Sequence, residues 1–394
     1  MDLYERYKQA FSGLAMPFAW VDMDRLDQNI ATHLGRARNT PIRIASKSVR
    51  SVGILRYLLN SSAQMQGLMC YHPAEAAWLA SLGFDDLLIA YPSLDEKGIS
   101  AALDEVARGK TIYFMVDLIE HAEQVNRLAA DKGVNALLCL DLDMSIQYPA
   151  LYFGVHRSAV QNADQAVGLY KKIRTLKSVT LKGVMGYEAQ IAGLGDAVPG
   201  QAIKNLIIRQ LKKNAIPKIE SRRTRTVLAL REAGADIQLV NGGGTGSIET
   251  TIQEPTVTEV TVGSGFYCSH LFDYYQAFHL QPAAGFAVQV TRHPRSGIFT
   301  CNGGGYVASG TAEPLKLPKP YLPAGLKLEP NEGAGEVQTP VHCNGKQLLS
   351  GDPVFFRHAK AGELCERFNT LHLLRGDAIE SEINTYRGDG QVFM

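Results

Sequence analysis

The sequence predicts an α/β chain, a (β/α)8 TIM-like barrel followed by a C-terminal antiparallel β domain. Three observations predict it. Short apolar, β-branched runs recur up to about residue 275, with helical stretches between them. The first five start ~20–25 residues apart, the length of one strand, one helix and two loops. Beyond that point helix signals give way to strands separated by Pro- and Gly-rich turns. Buried strands alternating with helices fit a closed barrel. An open doubly wound sheet is the alternative that the same spacing allows.

The elements follow in order. The opening MDLYERYKQAFSGLAMPFAW mixes charges into its apolar positions and has no signal-peptide core. PFAWVDM (17–23) precedes the first barrel helix and can pair with the β domain, so that the chain starts and finishes in one domain. The strand candidates are IRIASK (42–47), MQGLMCY (65–71), DLLIAY (86–91), TIYFMV (111–116), ALLCLDL (136–142), LKGVMGY (181–187), IQLVN (237–241) and TVTEVTVG (256–263). Between them, 73–82 reads as a helix opened by a proline in its first turn. Residues 118–129 and 164–177 read the same way, the last with Asp164 as N-cap. The wider gaps after the fifth and sixth strands read as extra loops. From Ala283 on, GFAVQVTRH and later strands alternate with turns such as RSG, NGGG and NEGAG. The domain reading is therefore a barrel over 16–274 and a β domain over 275–394, with residues 1–15 open to joining the second.

Composition narrows the function classes. Net charge is +1 from 40 basic and 39 acidic residues, so nothing calls for a nucleic acid or an anionic membrane as partner. No apolar run reaches the ~18–20 residues that span a bilayer. A soluble, cytoplasmic protein with a small-molecule substrate is the expectation. The six cysteines, at 70, 139, 268, 301, 343 and 365, stand singly with no CxxC pair, which argues against zinc-finger, redox-motif and disulfide-scaffold readings. Cys139, inside an apolar run, reads as a buried small hydrophobe.

Two features carry chemistry. Lys47 closes the first barrel strand, at the carboxyl end where barrel enzymes keep catalytic groups. Partial desolvation there lowers an amine's pKa and makes it a nucleophile toward an aldehyde. A snorkelling rim lysine is the plain alternative. The second feature is NGGGTGS (241–247), directly after the seventh strand. Small residues expose backbone N–H groups, Thr245 and Ser247 add hydroxyls, and barrels often bind phosphate after strands seven and eight. The eighth strand adds Gly263, Ser264, Gly265 and Tyr267 in VGSGFY. An amine for an aldehyde and a cradle for a phosphate together suggest one cofactor, pyridoxal phosphate.

At these residues the sequence resembles the fold-type III pyridoxal-phosphate enzymes, the alanine racemase N-terminal-domain superfamily. Within it the resemblance is to the D-threonine aldolase and D-serine dehydratase group, and most strongly to the branch labelled amino acid deaminase/aldolase. The stretches that carry it are PFAWVDMDRLDQNI, IRIASKSVR, YHPAEAAWLASLGFDDLLIAYP, VMGYEAQIAGLGD, VNGGGTGSIETT, TEVTVGSGFY and GDPVFFRHAKAGELCERFN, nearly the whole chain. The resemblance implies that Lys47 bears the cofactor. It implies that Gly242, Gly243, Gly244 and Thr245 bind its phosphate, with Gly263, Ser264, Gly265 and Tyr267 on the other side. Tyr187, in MGYEAQ, would line the substrate side, and Arg157, in FGVHRS, would stand near the cofactor ring. For Tyr187 a core aromatic, and for Arg157 a surface loop residue, are the plain alternatives. His72 could carry a proton, though a lone histidine is more often structural.

The sequence departs from the family near its C-terminus. Metal-dependent members place a His and then a Cys or Asp two positions on, and here the stretch reads His358-Ala359-Lys360. A protonated lysine is a poor metal ligand. Either the ammonium replaces the metal's charge, or ligands outside this pair hold a divalent metal; a solvent-facing His-Ala-Lys turn is the plain alternative. The first is the expectation, with His358 as base, Lys360 as charge and both on one face of a strand. The resemblance implies a lyase cleaving β-hydroxy D-amino acids to an amino acid and an aldehyde. The alternatives are a D-serine-type dehydratase giving an α-keto acid and ammonia, a racemase using a tyrosine such as Tyr306 or Tyr386, and a pyridoxal-phosphate carrier with no activity. A homodimer, in which the β domain of one subunit completes the other's barrel mouth, is also implied.

Overall fold

The computed structural model describes residues 2–343, 345–360 and 362–393. The chain divides into two compact units, one of His33–Lys47, Leu55–Gly263 and Phe393–Met394, the other of Met1–Thr32, Ser48–Ile54 and Ser264–Val392.

The first unit holds the closed eight-stranded parallel barrel. Its strands are β1 (Ile42–Ala45), β2 (Met65–Cys70), β3 (Leu87–Ile89), β4 (Ile112–Val116), β5 (Ala136–Asp141), β6 (Val179–Gly186), β7 (Leu239–Gly242) and β8 (Glu259–Val262). Each apolar run named above contributes one of them. The barrel closes where Val260 and Val262 of β8 pair with Ile42 and Ile44 of β1. Leu88, Met115, Cys139, Met185 and Leu239 form an apolar cluster, with Met69 and Tyr113 packed against it. A polar cluster ties the closing strands. Arg43 of β1 donates to both oxygens of Glu259 on β8, at 2.6 and 2.9 Å, and to Asp86 just before β3 at 2.9 Å. Asn241 of β7 donates to Glu259 at 2.6 Å. All six cysteines are free and buried.

The connecting helices mostly follow the sequence reading. Pro73–Ser81 opens with its proline, and His72 is the N-cap, its Nδ1 accepting from the Ala74 N–H at 3.2 Å. His72 thus fixes a helix start, the structural reading. The next such helix is Ile119–Lys132. Ala163–Ile173 is capped by Asn162, not Asp164, because the Asn162 side-chain Oδ1 accepts from the Gln165 N–H at 3.0 Å. After β5 the wide gap holds a small hairpin, Ile146–Tyr148 with Leu151–Phe153. After β6 it holds a 31-residue helix, Ala202–Glu232, where loops were expected. The pattern hid it for two reasons. Pro217 inside it removes a donor. Its apolar residues also do not form one stripe, since Ile208, Ile219 and Val227 are buried while Ile203, Leu206, Ile207 and Leu228 are exposed.

The second unit is built on a nine-stranded sheet. Its central strand Ala284–Arg295 pairs antiparallel with Ile298–Asn302, with Pro353–Arg357 and with Phe18–Asp22. Phe18–Asp22, the PFAWVDM stretch, therefore joins this sheet, and on its other side it runs parallel to Thr370–Arg375. The N-terminal helix Leu3–Ala10 packs here too. Tyr7 meets Trp20 and Phe355 edge-on at 5.1 and 5.4 Å between centroids and donates to Asp22 at 2.7 Å.

Candidate active site

The carboxyl ends of the barrel strands gather most of the expected residues. Lys47 sits in the short 3-10 turn Ser46–Ser48 that ends β1, and it is half-buried. Its Nζ donates to the Tyr91 hydroxyl at 2.7 Å, so the ammonium turns toward the barrel mouth. Tyr91 stands just past β3. The Arg157 guanidinium, on the loop after β5, lies 5.9 Å from the Tyr91 ring centroid and 5.6 Å from that of Tyr187. Arg157 is exposed by area, as the surface reading had it, yet it bridges two aromatic rings of the site. Tyr187 follows β6, and a side chain on Gly244 would stand 3.0 Å from its Cε2 and 2.8 Å from Ala192. Lys47, Tyr91, Arg157, Tyr187 and the glycine loop thus form one chain of neighbours. Tyr91, Asp141, Arg157, Ser158, Met185 and Tyr187 line a cavity among these strand ends.

The glycine loop is built as a cradle. Gly243 has φ +80, which L side chains rarely adopt, and a Cβ there would also crowd Val260 at 3.2 Å. A carboxylate fixes the loop from behind. Glu188 accepts from Ser247 Oγ at 2.7 Å and Thr251 Oγ1 at 2.5 Å, while its other oxygen accepts from the fully buried Arg223 at 2.7 Å. Arg223 also pairs with Glu254. The Ser247 hydroxyl in turn accepts the Gly244 N–H at 3.1 Å. Ser247 is therefore committed to holding the loop, which corrects the expectation that it offers a donor outward. Thr245 is buried, and its carbonyl accepts from Arg36 at 2.7 Å. Gly263 is buried directly after β8.

The electrostatics set two groups apart. Burial raises the Asp141 carboxyl, the Asp117 and Asp143 charges add to it, and Arg157 only partly opposes them, leaving it at about 7. Burial also pushes the Tyr91 phenol up, but the Lys47 ammonium, its hydrogen bond and Arg157 outweigh this and hold it below the usual range. Tyr187 is pushed up to about 12, chiefly by burial. The sequence reading missed Tyr91 and Asp141, although both stand where Lys47 does, at the end of an apolar strand run. Glu188 and Arg223 carried no such signal, since Arg223 lies in the helix that the pattern hid.

Ser264, Gly265, Tyr267, His358 and Lys360 belong to the β-rich unit. Within it Ser264 Oγ lies 3.3 Å from Ser48 Oγ, Gly265 is buried, and the buried Tyr267 hydroxyl donates to the Val49 carbonyl at 3.2 Å. The Tyr267 hydroxyl is thus engaged in packing. The strand Pro353–Arg357 ends one residue before His358. His358 is buried and Lys360 exposed, so the alternation expected to put both on one face does not extend to them. Burial first, then Arg357 and His270, lowers His358 to about 3, and Lys360 is not among the causes. A hydrogen bond to the Ala284 backbone opposes this only in part. Tyr306 and Tyr386 are buried in the same unit. Among the described residues, no three His, Cys, Asp or Glu side chains gather to hold a metal ion.

The residues present fit pyridoxal phosphate. Lys47 offers the amine, the Gly242–Thr245 loop offers a cradle that side chains would fill, and Arg157 offers a cation beside two aromatic rings. No curated protein matches the chain. Among solved structures it is similar to a D-threonine aldolase from Filomicrobium marinum, at TM-score 0.78 and 17% identity, covering 95% of each chain. It is similar to D-threo-3-hydroxyaspartate dehydratase from Delftia sp. HT23, at TM-score 0.74 and 17% identity, covering 94% of this chain and 98% of that one. An alanine racemase-like protein from Idiomarina loihiensis aligns at TM-score 0.72 and 14% identity, over 95% of this chain and 97% of the other. The family model described as alanine racemase, N-terminal domain, matches residues 21–270, more than half of the sequence. The chain belongs to the alanine racemase N-terminal domain family and fits the fold-type III pyridoxal-phosphate group.

Proposed function

We propose that the protein is a pyridoxal-phosphate-dependent lyase that cleaves β-hydroxy D-amino acids to an amino acid and an aldehyde. The observation that carries the reading is Lys47 at the end of β1 in one barrel mouth with the Gly242–Gly244 cradle at the end of β7. The names of two structural neighbours, an aldolase of D-threonine and a dehydratase of D-threo-3-hydroxyaspartate, support the choice of substrate class.

Pyridoxal phosphate, when bound, supplies an electron sink for the substrate's α-carbon. The chain's own residues do the rest. Lys47 Nζ is the nucleophile toward the aldehyde. The loop Gly242–Thr245, braced by Glu188, would hold the phosphate through backbone N–H groups. Gly263, directly after β8 in the same unit, would complete that phosphate site. Arg157 and Tyr187 would orient the ring and exclude water. Cleavage requires a group to take the β-hydroxyl proton as the Cα–Cβ bond breaks and the aldehyde leaves. We assign this to His358, with Lys360 stabilising the anionic oxygen in place of a metal. Burial holds its conjugate acid at about 3, so His358 is neutral at working pH and has a lone pair free for the β-hydroxyl proton. Dehydration to an α-keto acid and ammonia is the second reading, favoured by the dehydratase neighbour.

Incubation with D-threonine, D-serine and D-alanine separates the outcomes. An aldehyde with glycine is expected from D-threonine. Ammonia with a keto acid would point to the dehydratase, an L-enantiomer to a racemase, and no turnover to a carrier. Chelator treatment is expected to leave the rate unchanged. Activity lost on chelation and restored by a divalent metal would overturn the role given to Lys360.

A further inference from the structure

We propose that Tyr91 is the proton acceptor of Lys47, its phenolic oxygen holding the amine at the barrel mouth and taking the proton that the amine must lose before it attacks an aldehyde. This rests on Lys47 being the nucleophile assigned above. The contact is direct, Lys47 Nζ to Tyr91 Oη at 2.7 Å, within the range for proton transfer.

Both residues are anchored on the strand between them. In the turn that carries Lys47, Ser46 Oγ donates to the Met69 carbonyl of β2 at 2.9 Å. Beside Tyr91, the Ala90 N–H donates to the Cys70 carbonyl of β2 at 2.8 Å. The pair is therefore set by the backbone of three adjacent strands, so its spacing does not depend on two long side chains meeting by chance. The charged groups around Tyr91 are Lys47 and Arg157, which favour its phenolate, and Asp141, which opposes it. Two cations against one carboxyl of raised affinity for its proton bias the phenol toward ionisation.

The step balances. The ammonium passes one proton to the phenolate, giving a neutral amine and a phenol. The amine lone pair forms the bond to the carbonyl carbon. The carbonyl oxygen takes one proton from the attacking nitrogen and a second that Tyr91 returns, and leaves as water. The nitrogen keeps one hydrogen in the new C=N bond, and the phenolate is regenerated. No oxidant or further reactant is needed.

The test uses the cofactor-free full chain. Wild type and Tyr91→Phe are treated with formaldehyde and cyanoborohydride, and methylation of the Lys47 peptide is timed by mass spectrometry from neutral to alkaline pH. We expect Tyr91→Phe to slow Lys47 labelling by about 10²-fold near neutrality, with the rates converging at high pH and other lysines unaffected. Tyr91→His, which restores an acid–base group, is expected to recover part of the rate. Ultraviolet difference titration of wild type should show one tyrosine ionising ahead of the others, and that signal should vanish in Tyr91→Phe of unchanged melting temperature. Equal Lys47 labelling with the same pH profile in wild type and Tyr91→Phe would overturn the proposal. Pyridoxal phosphate failing to attach to wild-type Lys47, while formaldehyde labelling still depends on Tyr91, would sink the function reading and leave this one standing.

Discussion

Asp141 ends β5 with its carboxyl buried beside two other aspartates, and this gives it a measurable signature. The folded chain holds its proton up to about 7, whereas an unfolded Asp releases it near ~3.9. Between those values the folded state binds more protons. Its stabilising contribution is full at acid pH and declines as pH rises to about 7. Asn cannot ionise and mimics the protonated form. Asp141→Asn is therefore expected to gain stability over wild type progressively across that window and to hold the gain above it. Denaturant melts of the cofactor-free protein at several pH values check this, and parallel curves for the two proteins would refute it. Lys47 and the glycine loop were legible because each is a residue type with one strong use at one barrel position. Tyr91 and Asp141 obey the same positional rule, but tyrosine and aspartate have many structural uses, so position alone did not single them out. His358 and Lys360 show the reverse: the sequence placed them two apart on a strand, and the strand stops before it reaches them.

At the scale of elements, the eight barrel strands were readable because buried parallel strands are short apolar runs at nearly even spacing. The helix Ala202–Glu232 was not, since Pro217 and a scattered apolar pattern remove both of the usual signals. Its consequence reaches the site, because Arg223 on that helix braces Glu188 behind the glycine loop. The closing strands depend on Arg43, 1% exposed, between Glu259 and Asp86. Removing one partner of a buried pair leaves the other charge uncompensated. Arg43→Ala is expected to cost ~3–5 kcal/mol, and a paired Arg43→Met/Glu259→Leu replacement much less. Equilibrium unfolding measures both, and a single variant as stable as wild type would show that the cluster does not secure barrel closure.

At the scale of the whole molecule, no helix among the described residues is long and apolar enough to cross a membrane. The family resemblance implies a homodimer. We expect light scattering at assay concentration to give twice the 43.0 kDa chain mass, and a fully active monomer would contradict it. The assignment of the chain as a pyridoxal-phosphate enzyme depends above all on Lys47. The most direct measurement is borohydride reduction of the protein loaded with pyridoxal phosphate, followed by peptide mapping. The account predicts one pyridoxyl group per chain, on Lys47, and none in Lys47→Ala. A label on another lysine, or no label at all, would contradict it.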